Sequence, residues 1–337
     1  MGMAPVPAPF VPGEAQPPGS RWSCATFADI DEQAAALQGW NQEYLQLSPG
    51  VFCGVVQRLQ LDGVGLFVED LQQVVHQTGH VRPDVVALGV PVLLQGDTRF
   101  CGQAGNASAL HVFSGRDGFE FRSPRRHVML GIEVDVPLFE SQVIDGARGG
   151  AAAFAGRAHL HCGDPASFEA LRRFLVDLFT RGGQEPSLLQ ADMRRLHVRD
   201  ELLDRLSAAV RPAAGHADTA SCGLAVPGAQ TTLADRARQL VAARLDEPPT
   251  VADLCALLGV SRRTLQSCFH ATWGMGPLAW LNTLRLNAVR RRLKTARSVT
   301  EAATQFGFWH FGHFATDYRA LFGETPSQTL RRRGTPT

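Results

Sequence analysis

The stretch from Thr250 to Phe322 uses one local plan twice, and that repetition constrains the chain more than any other feature. In the first copy, Thr250 can cap a helix over 251–258. Leu258-Gly259-Val260-Ser261 follows, and a second helix runs from Arg262 to His270. Glycine reaches the left-handed backbone that ends a helix sharply, and Ser261 can cap the next helix. Val251, Leu254, Leu257, Val260, Leu265 and Phe269 then fall where two steeply crossed helices share a core, which leaves Arg262, Arg263, Gln266 and Ser267 facing outward. In the second copy, Ser298 or Thr300 starts a short helix through Ala302, Ala303 and Phe306, and Gly307 repeats the role of Gly259. A helix follows from His310 to Leu321, with Phe308, Phe314, Tyr318 and Phe322 inward and Phe311, Gly312, His313 and Thr316 outward.

Between the copies, Pro277 to Thr295 reads as one helix with proline in its first turn and Leu278, Trp280, Leu281, Leu284, Leu286, Val289 and Leu293 as its apolar set. At 1.5 Å per residue it would be about 28 Å long. Successive major-groove faces on one side of B-DNA lie about 34 Å apart, so a rod of this length suits two reading heads on one duplex.

Charge agrees with that geometry. The whole chain carries a net charge of +1, but from Thr231 to Thr337 there are 15 Lys+Arg against 7 Asp+Glu, or +8, leaving 18 against 25, or −7, for the rest. A basic module beside an acidic one points to a polyanionic partner for the former. Lys294 is the only lysine, so arginine is simply this chain's basic residue, and charge alone does not decide the matter.

The remaining chain divides by pattern. Residues 1–20 are rich in Pro, Gly and Ala, lack a basic segment followed by an apolar one, and read as a disordered tail rather than a signal peptide. Residues 21–165 hold short apolar runs between Gly, Pro and Asp, such as Gly65 to Val68, Leu110 to Phe113 and Val128 to Val134, which favour an antiparallel sandwich or barrel. A helix capped by Asp29, with Glu32 three residues on, is expected ahead of the strands. Residues 166–210 read as two amphipathic helices, one with Phe168, Leu171, Leu175, Leu178 and Phe179 in phase, the other over 187–210 with Leu188, Leu189, Met193, Leu202, Leu203 and Leu206. They can pack on the sheet or pair with a second copy, which leaves a homodimer open. Residues 211–230 read as a flexible linker, and 231–333 as wholly helical. No apolar run is long enough to cross a bilayer, so the expected location is the cytoplasm. The seven cysteines are scattered without a C-x-x-C pair, which suggests neither a disulfide framework nor structural zinc.

The C-terminal residues resemble the DNA-binding domain of the AraC/XylS family of bacterial regulators. The residues that carry the resemblance are Leu257-x-Gly259-Val260-Ser261 with Leu265 and Phe269, Arg285-Leu286 with Ala288 and Leu293, Ala302 with Phe306-Gly307-Phe308, and Phe314, Tyr318 and Phe322-Gly323-x-Thr325-Pro326. The resemblance implies seven helices, of which the third and sixth enter adjacent major grooves. On this chain these would present Arg262, Arg263, Gln266 and Ser267, then Phe311, Gly312, His313 and Thr316. Arg and Gln match guanine and adenine edges. Phe311 and Gly312 depart from the polar residues usual in the family, so contact with thymine methyls or backbone positioning is the expectation there. Arg291 on the connecting helix, with its neighbours Arg290 and Arg292, and the terminal Arg331 to Arg333 read either as phosphate contacts or as a solvated charged face. Residues Phe27 to Glu32 and Trp40 to Gly54 are similar to sensor domains that include ethanolamine-operon activators, which implies a cupin-like sandwich. The expected whole is an α+β chain, with a cupin-like β-sandwich sensor followed by an all-α tandem helix-turn-helix domain. It would be a ligand-responsive activator of an adjacent operon, with double-stranded DNA, RNA polymerase and a small-molecule effector as partners.

Other readings carry less. His159-x-His161 shares a strand face and could start a metal site, but no acidic partner follows. Trp40, Tyr44, Gln46 and Gln57 could line an effector pocket, or fill core. Phe308, Trp309 and Phe311 together suit core better than base stacking. No nucleophile elbow, phosphate loop or dinucleotide fingerprint is present, so neither an enzyme nor a cofactor is expected.

Overall fold

The computed structural model describes residues 22–144, 150–184, 191–212, 229–244 and 247–332. The N-terminal tail, Leu188 and Leu189, most of the 211–230 linker and Arg333 lie outside the described residues. The chain divides into two compact units, one from Met1–Glu43, Cys53–Gln72 and Gln77–Leu224, the other from Tyr44–Phe52, Gln73–His76 and Ala225–Thr337.

The first unit is built on two antiparallel sheets. In chain order the elements are β1 (Trp22–Phe27), α1 (Ile30–Ala36), β2 (Trp40–Gln46), β3 (Gly54–Leu61), β4 (Val64–Leu71), β5 (Val75–Val81), β6 (Val85–Gln95), β7 (Arg99–Phe100), β8 (Gln103–Ala104), β9 (Leu110–Phe113), β10 (Phe119–Arg122), β11 (Arg126–Asp135), α2 (Val136–Gln142), α3 (Gly150–Ala155), β12 (His159–His161), α4 (Pro165–Gln184) and α5 (Asp192–Val210). One sheet has seven strands in the order β1-β3-β4-β11-β6-β9-β12, and the other has five, β2-β5-β10-β7-β8. Helix α1 follows a first strand instead of preceding them all; β1 is an edge strand paired only with β3 in its sheet, and its six residues bury too little to show alternation. Asp29 caps α1 by accepting from the amides of Asp31 and Glu32 at 2.9 and 3.2 Å.

The seven-stranded sheet is covered on both faces, which is why its central strands read as unbroken apolar runs. Leu66, Val68, Leu130, Ile132 and Val134 face α4 and α5, whose Phe168, Leu171, Leu175, Phe179, Leu202, Leu203 and Leu206 belong to the same core. The two helices therefore use their apolar stripes within the chain. Leu178 is left half-buried at the edge of that core, and Met193 is exposed. The opposite face carries Val56, Phe67, Ala87, Phe113 and Met129 against Trp40, Phe100, Phe119 and Phe121. Polar groups are sealed in this second layer. Trp40 Nε1 donates to Glu133 at 2.5 Å, and Gln33 and Gln77 both donate to Glu69 at 3.1 Å. His111 and His127 are fully buried beside Phe121, with ring centroids 5.7 and 5.1 Å away, and the Ala109 backbone acts on the His111 ring. Burial lowers them to about 4 and about 3 respectively, so both rings are neutral near pH 7.

The second unit holds seven helices among its described residues: α6 (Ala229–Ala242), α7 (Val251–Leu258), α8 (Arg262–Trp273), α9 (Pro277–Leu293), α10 (Val299–Gln305), α11 (Phe311–Phe322) and α12 (Pro326–Arg332). Two cores run side by side. One gathers Leu254, Leu258, Leu265, Phe269 and Trp273 with Trp280, Leu281 and Leu284. The other gathers Ala302, Ala303, Phe306, Phe308, Phe314, Tyr318 and Phe322 with Leu286, Val289 and Leu293. Helix α9 thus gives its first half to one core and its second half to the other. Its 17 residues span about 25 Å at 1.5 Å per residue, two residues shorter than expected because the helix ends at Lys294. Among the described helices, none is long and apolar enough to cross a membrane.

Candidate nucleic-acid interface

Each reading head begins with a capped helix and a left-handed turn. Thr250 and Asp253 form a reciprocal capping box on α7, and the Thr250 amide and hydroxyl hold the Asp253 carboxyl below its ordinary range. Gly259 closes α7 at φ 66°, ψ 34°. Ser261 Oγ then accepts from the Thr264 amide at 3.1 Å and starts α8. Leu265, Cys268, Phe269, Thr272 and Trp273 are buried, while Arg262, Arg263, Gln266 and Ser267 are all exposed. Leu257 departs from its expected core place and is 49% exposed, because Leu254 and Leu258 supply the buried side of so short a helix.

The second head repeats the arrangement with one residue more. Ser298 caps α10 by accepting from the Glu301 amide at 3.1 Å, and Gly307 takes φ 73°. The turn is held by Arg285 of α9, whose Nε donates to the Phe306 carbonyl at 2.8 Å and whose Nη2 donates to the Gly307 carbonyl at 2.5 Å. The same guanidinium lies 4.3 Å from the Phe308 ring centroid, and its burial lowers its pKa. The positive φ favours glycine at 307, and a Cβ there would sit 3.0 Å from Arg285 Nη2 and press on the guanidinium that holds the turn. On α11, Phe314, Tyr318, Leu321 and Phe322 are buried, and Phe311, Gly312, His313 and Thr316 are exposed. Phe308 enters the core as expected, but Trp309 and Phe311 do not: they are 71% and 42% exposed. Leu278, counted with the apolar set of α9, is likewise 73% exposed.

The connecting rod is fixed from both sides. Arg290, 3% exposed, pairs with Glu324 at 2.7 Å and lies 4.7 Å from the Phe322 ring centroid. Tyr318 donates to or accepts from Thr329 Oγ1 at 2.8 Å, and burial pushes its phenol up to about 12. The Phe322-Gly323-Glu324-Thr325-Pro326 turn therefore ties α12 to α9. Arg292 pairs with Glu301 at 2.7 Å. Arg291 donates to the Tyr44 carbonyl at 2.6 Å, and Asn287 exchanges two hydrogen bonds of 3.0 Å with the backbone of Gln46. The Gln46 side-chain Nε2 donates to the carbonyls of Ser48, Gly50 and Leu321. Of the suggested pocket residues, Trp40 reaches the polar layer between the sheets through Glu133. Gln57 shares the strand face of Leu59 and Leu61, where it bonds Cys24.

His159 and His161 do share a strand, with ring centroids 6.1 Å apart, but each directs a ring nitrogen at a backbone carbonyl, Arg157 and Val210 respectively, at 2.9 Å. Among the described residues no group of three or more His, Cys, Asp or Glu is gathered. Cys162 is disulfide-bonded, its partner outside the described residues. The scattered cysteine spacing gave no hint of that bond, since bridging depends on tertiary proximity.

A helix-turn-helix domain model matches residues 254–332. Over 103 residues the chain is 38% identical to the XylDLEGF operon transcriptional activator 3 of Pseudomonas putida, covering 29% of this chain and 31% of that protein. Over 93 residues it is 39% identical to the probable thc operon regulatory protein of Rhodococcus erythropolis, covering 26% and 28%. Residues 254–332 form an AraC-type helix-turn-helix domain. The chain spans about a third of the length of these curated relatives. A solved transcriptional regulator of Chromobacterium violaceum, described as AraC-type, is 32% identical over 32% of this chain and 96% of its own, with a TM-score of 0.30. Sequence reasoning missed the positioning roles of Arg285 and Asn287 in the AraC-type domain, and Arg290, considered for phosphate contact, is instead buried against Glu324; a polar residue on an apolar rod was the available signal.

Proposed function

We propose that this chain is a sequence-specific DNA-binding transcription regulator, an activator that answers to a small molecule sensed by its N-terminal sandwich. The observation that carries the reading is the pair α8 and α11. Each follows a glycine turn, each exposes its outer face, and each packs its inner face on one shared rod. Side chains on such a frame are pre-organised, so little ordering entropy opposes docking. Arg262 and Arg263 have the forked donors that match guanine, and Gln266 the donor–acceptor pair that matches adenine. His313 and Thr316 are the polar reading groups of the second head, Ser267 supports the first, and the bare backbone at Gly312 admits close approach. Arg291 is assigned to phosphate, a role that requires it to share or release the Tyr44 carbonyl.

The Pseudomonas putida relative is named an operon transcriptional activator, which supports activation and RNA polymerase as a second partner. A DNA partner places the protein in the cytoplasm, and binding rather than catalysis is its work. The outward face of α5, where Met193 is exposed, is where a homodimer would form.

The test is selection of a binding site from random DNA with the full chain. Arg263→Ala is expected to cost about 1–3 kcal/mol on the selected site and relax one base pair, whereas Arg291→Ala weakens all sequences alike and lowers the salt slope by about one. Equal loss for both variants on selected and random DNA, or the absence of any selected site, defeats the proposal.

A further inference from the structure

We infer that Trp309, with Phe311, is a base-reading contact of the second head, recognising the C5-methyl group of thymine. The inference rests on the DNA-binding reading above and adds to it a residue whose sequence neighbours suggested core.

The chain has five tryptophans, and four are buried: Trp22, Trp40, Trp273 and Trp280 are 1–7% exposed. Trp309 is 71% exposed. A tryptophan offers about 150–250 Å² of largely apolar surface, so leaving it in water forgoes burial that the adjacent core of Phe306, Phe308 and Phe314 could supply. The reason lies in the turn. Leu265, the first buried residue of α8, follows Gly259 by six positions, whereas Phe314 follows Gly307 by seven. Phe308, like Val260 after Gly259, packs inward directly after the turn glycine, and Trp309 stands in the longer stretch between it and α11.

The platform under it is rigid. The Phe308 amide donates to the Ala303 carbonyl at 3.0 Å, and Arg285 holds the carbonyls of Phe306 and Gly307. Trp309 is therefore presented from a fixed backbone, which lowers the cost of ordering it on a partner.

What surrounds it selects the partner. From Phe306 to Thr316 the sequence holds no carboxylate, and the first, Asp317, already accepts from Asn282 at 3.1 Å. His313 and Thr316 are exposed on the following helix, and a Cβ at Gly312 would meet nothing within 4 Å. Two exposed apolar rings two residues apart, with bare backbone and uncharged polar groups following and no acid in that stretch of sequence, suit a base edge in a polyanionic groove. The one apolar group that DNA displays in the major groove is the thymine methyl.

The experiment uses the full chain, the site it selects, and Trp309→Ala and Trp309→Phe variants checked for folding by near-ultraviolet circular dichroism. Iodide should quench a tryptophan component in the free protein that disappears in Trp309→Phe and is protected by the selected duplex. Replacing thymine by uracil, one position at a time, should weaken wild-type binding about 3- to 10-fold at one or two positions in the half-site under α11. It should change Trp309→Ala binding by less than about 2-fold. Trp309→Ala itself should bind about 10-fold or more weakly with an unaltered salt slope, because no phosphate contact is lost. Three results overturn the inference while leaving the regulator reading intact: uracil tolerated at every position, equal uracil effects in variant and wild type, or continued iodide quenching on bound DNA, the outcome expected if Trp309 docks on a protein instead. Failure to select any site removes both readings together.

Discussion

The two units of this chain place their polar chemistry in opposite ways. The sandwich hides it: Glu69, Glu133, His111 and His127 are 0–4% exposed between the sheets. The helical unit buries Gln46, Asn287 and Arg290 in its brace but puts its candidate reading groups outside: Arg262, Arg263, Gln266 and His313 all face water. A buried polar group raises the stakes of every partner and proton, so the stability of the first unit depends on the protonation of what it seals. An exposed polar face on a rigid frame costs little to carry and suits a large partner.

The widest expected difference between the units is in acid. His111 and His127 are neutral in the folded sandwich, at about 4 and about 3, but take protons near pH 6.5 once unfolded. The stability they allow is present above about pH 6.5 and is lost as pH falls toward their folded values. Between pH 7 and pH 5 the loss is on the order of 2 kcal/mol for each. Amide hydrogen exchange resolved by unit should show that loss in the strands and not in α7 to α11, and the double variant His111→Phe, His127→Phe should flatten it. Equal acid sensitivity in both units would break the contrast.

Next in size is Glu133→Ala, which strands the buried Trp40 N–H. A cost of about 1–3 kcal/mol in urea unfolding is expected, against less than about 0.5 kcal/mol for Gln266→Ala on the exposed face. If Gln266→Ala destabilises as much, the outward face is not free for a partner. Gly259→Ala sharpens the comparison by forcing a Cβ into left-handed backbone, with about 1–2 kcal/mol lost from the helical unit. Open space around that position makes strain the sole term. Smaller than the loss at Gly259 is that of Ser261→Ala, about 1 kcal/mol from loss of the α8 cap, visible as a lowered Tm with the site otherwise intact.

The helical unit was largely legible because its determinants are local. A cap, a glycine and an apolar residue every third or fourth position lie within a dozen residues, and α7 appeared over the expected residues with Thr250 and Gly259 at its ends. Arg285 and Trp309 were not legible. The role of Arg285 depends on carbonyls 21 and 22 residues away. Trp309 differs from Phe308 only in its place in a turn one residue longer.

In the sandwich, sequence indicated strands but neither their order nor what lies between them. β11 pairs with β4 and β6, joining segments tens of residues apart, and whether an inward residue becomes Phe67 against Trp40 or His127 beside Phe121 follows from that pairing. By itself the sequence determined the tandem heads, the rod between them and the basic bias of that unit, since helices are written in contacts between near neighbours. Only the tertiary structure decided which polar groups are sealed in the sandwich, that Arg285 and Arg290 brace the heads, and which aromatic is left in water, because those outcomes rest on contacts between residues far apart in the chain.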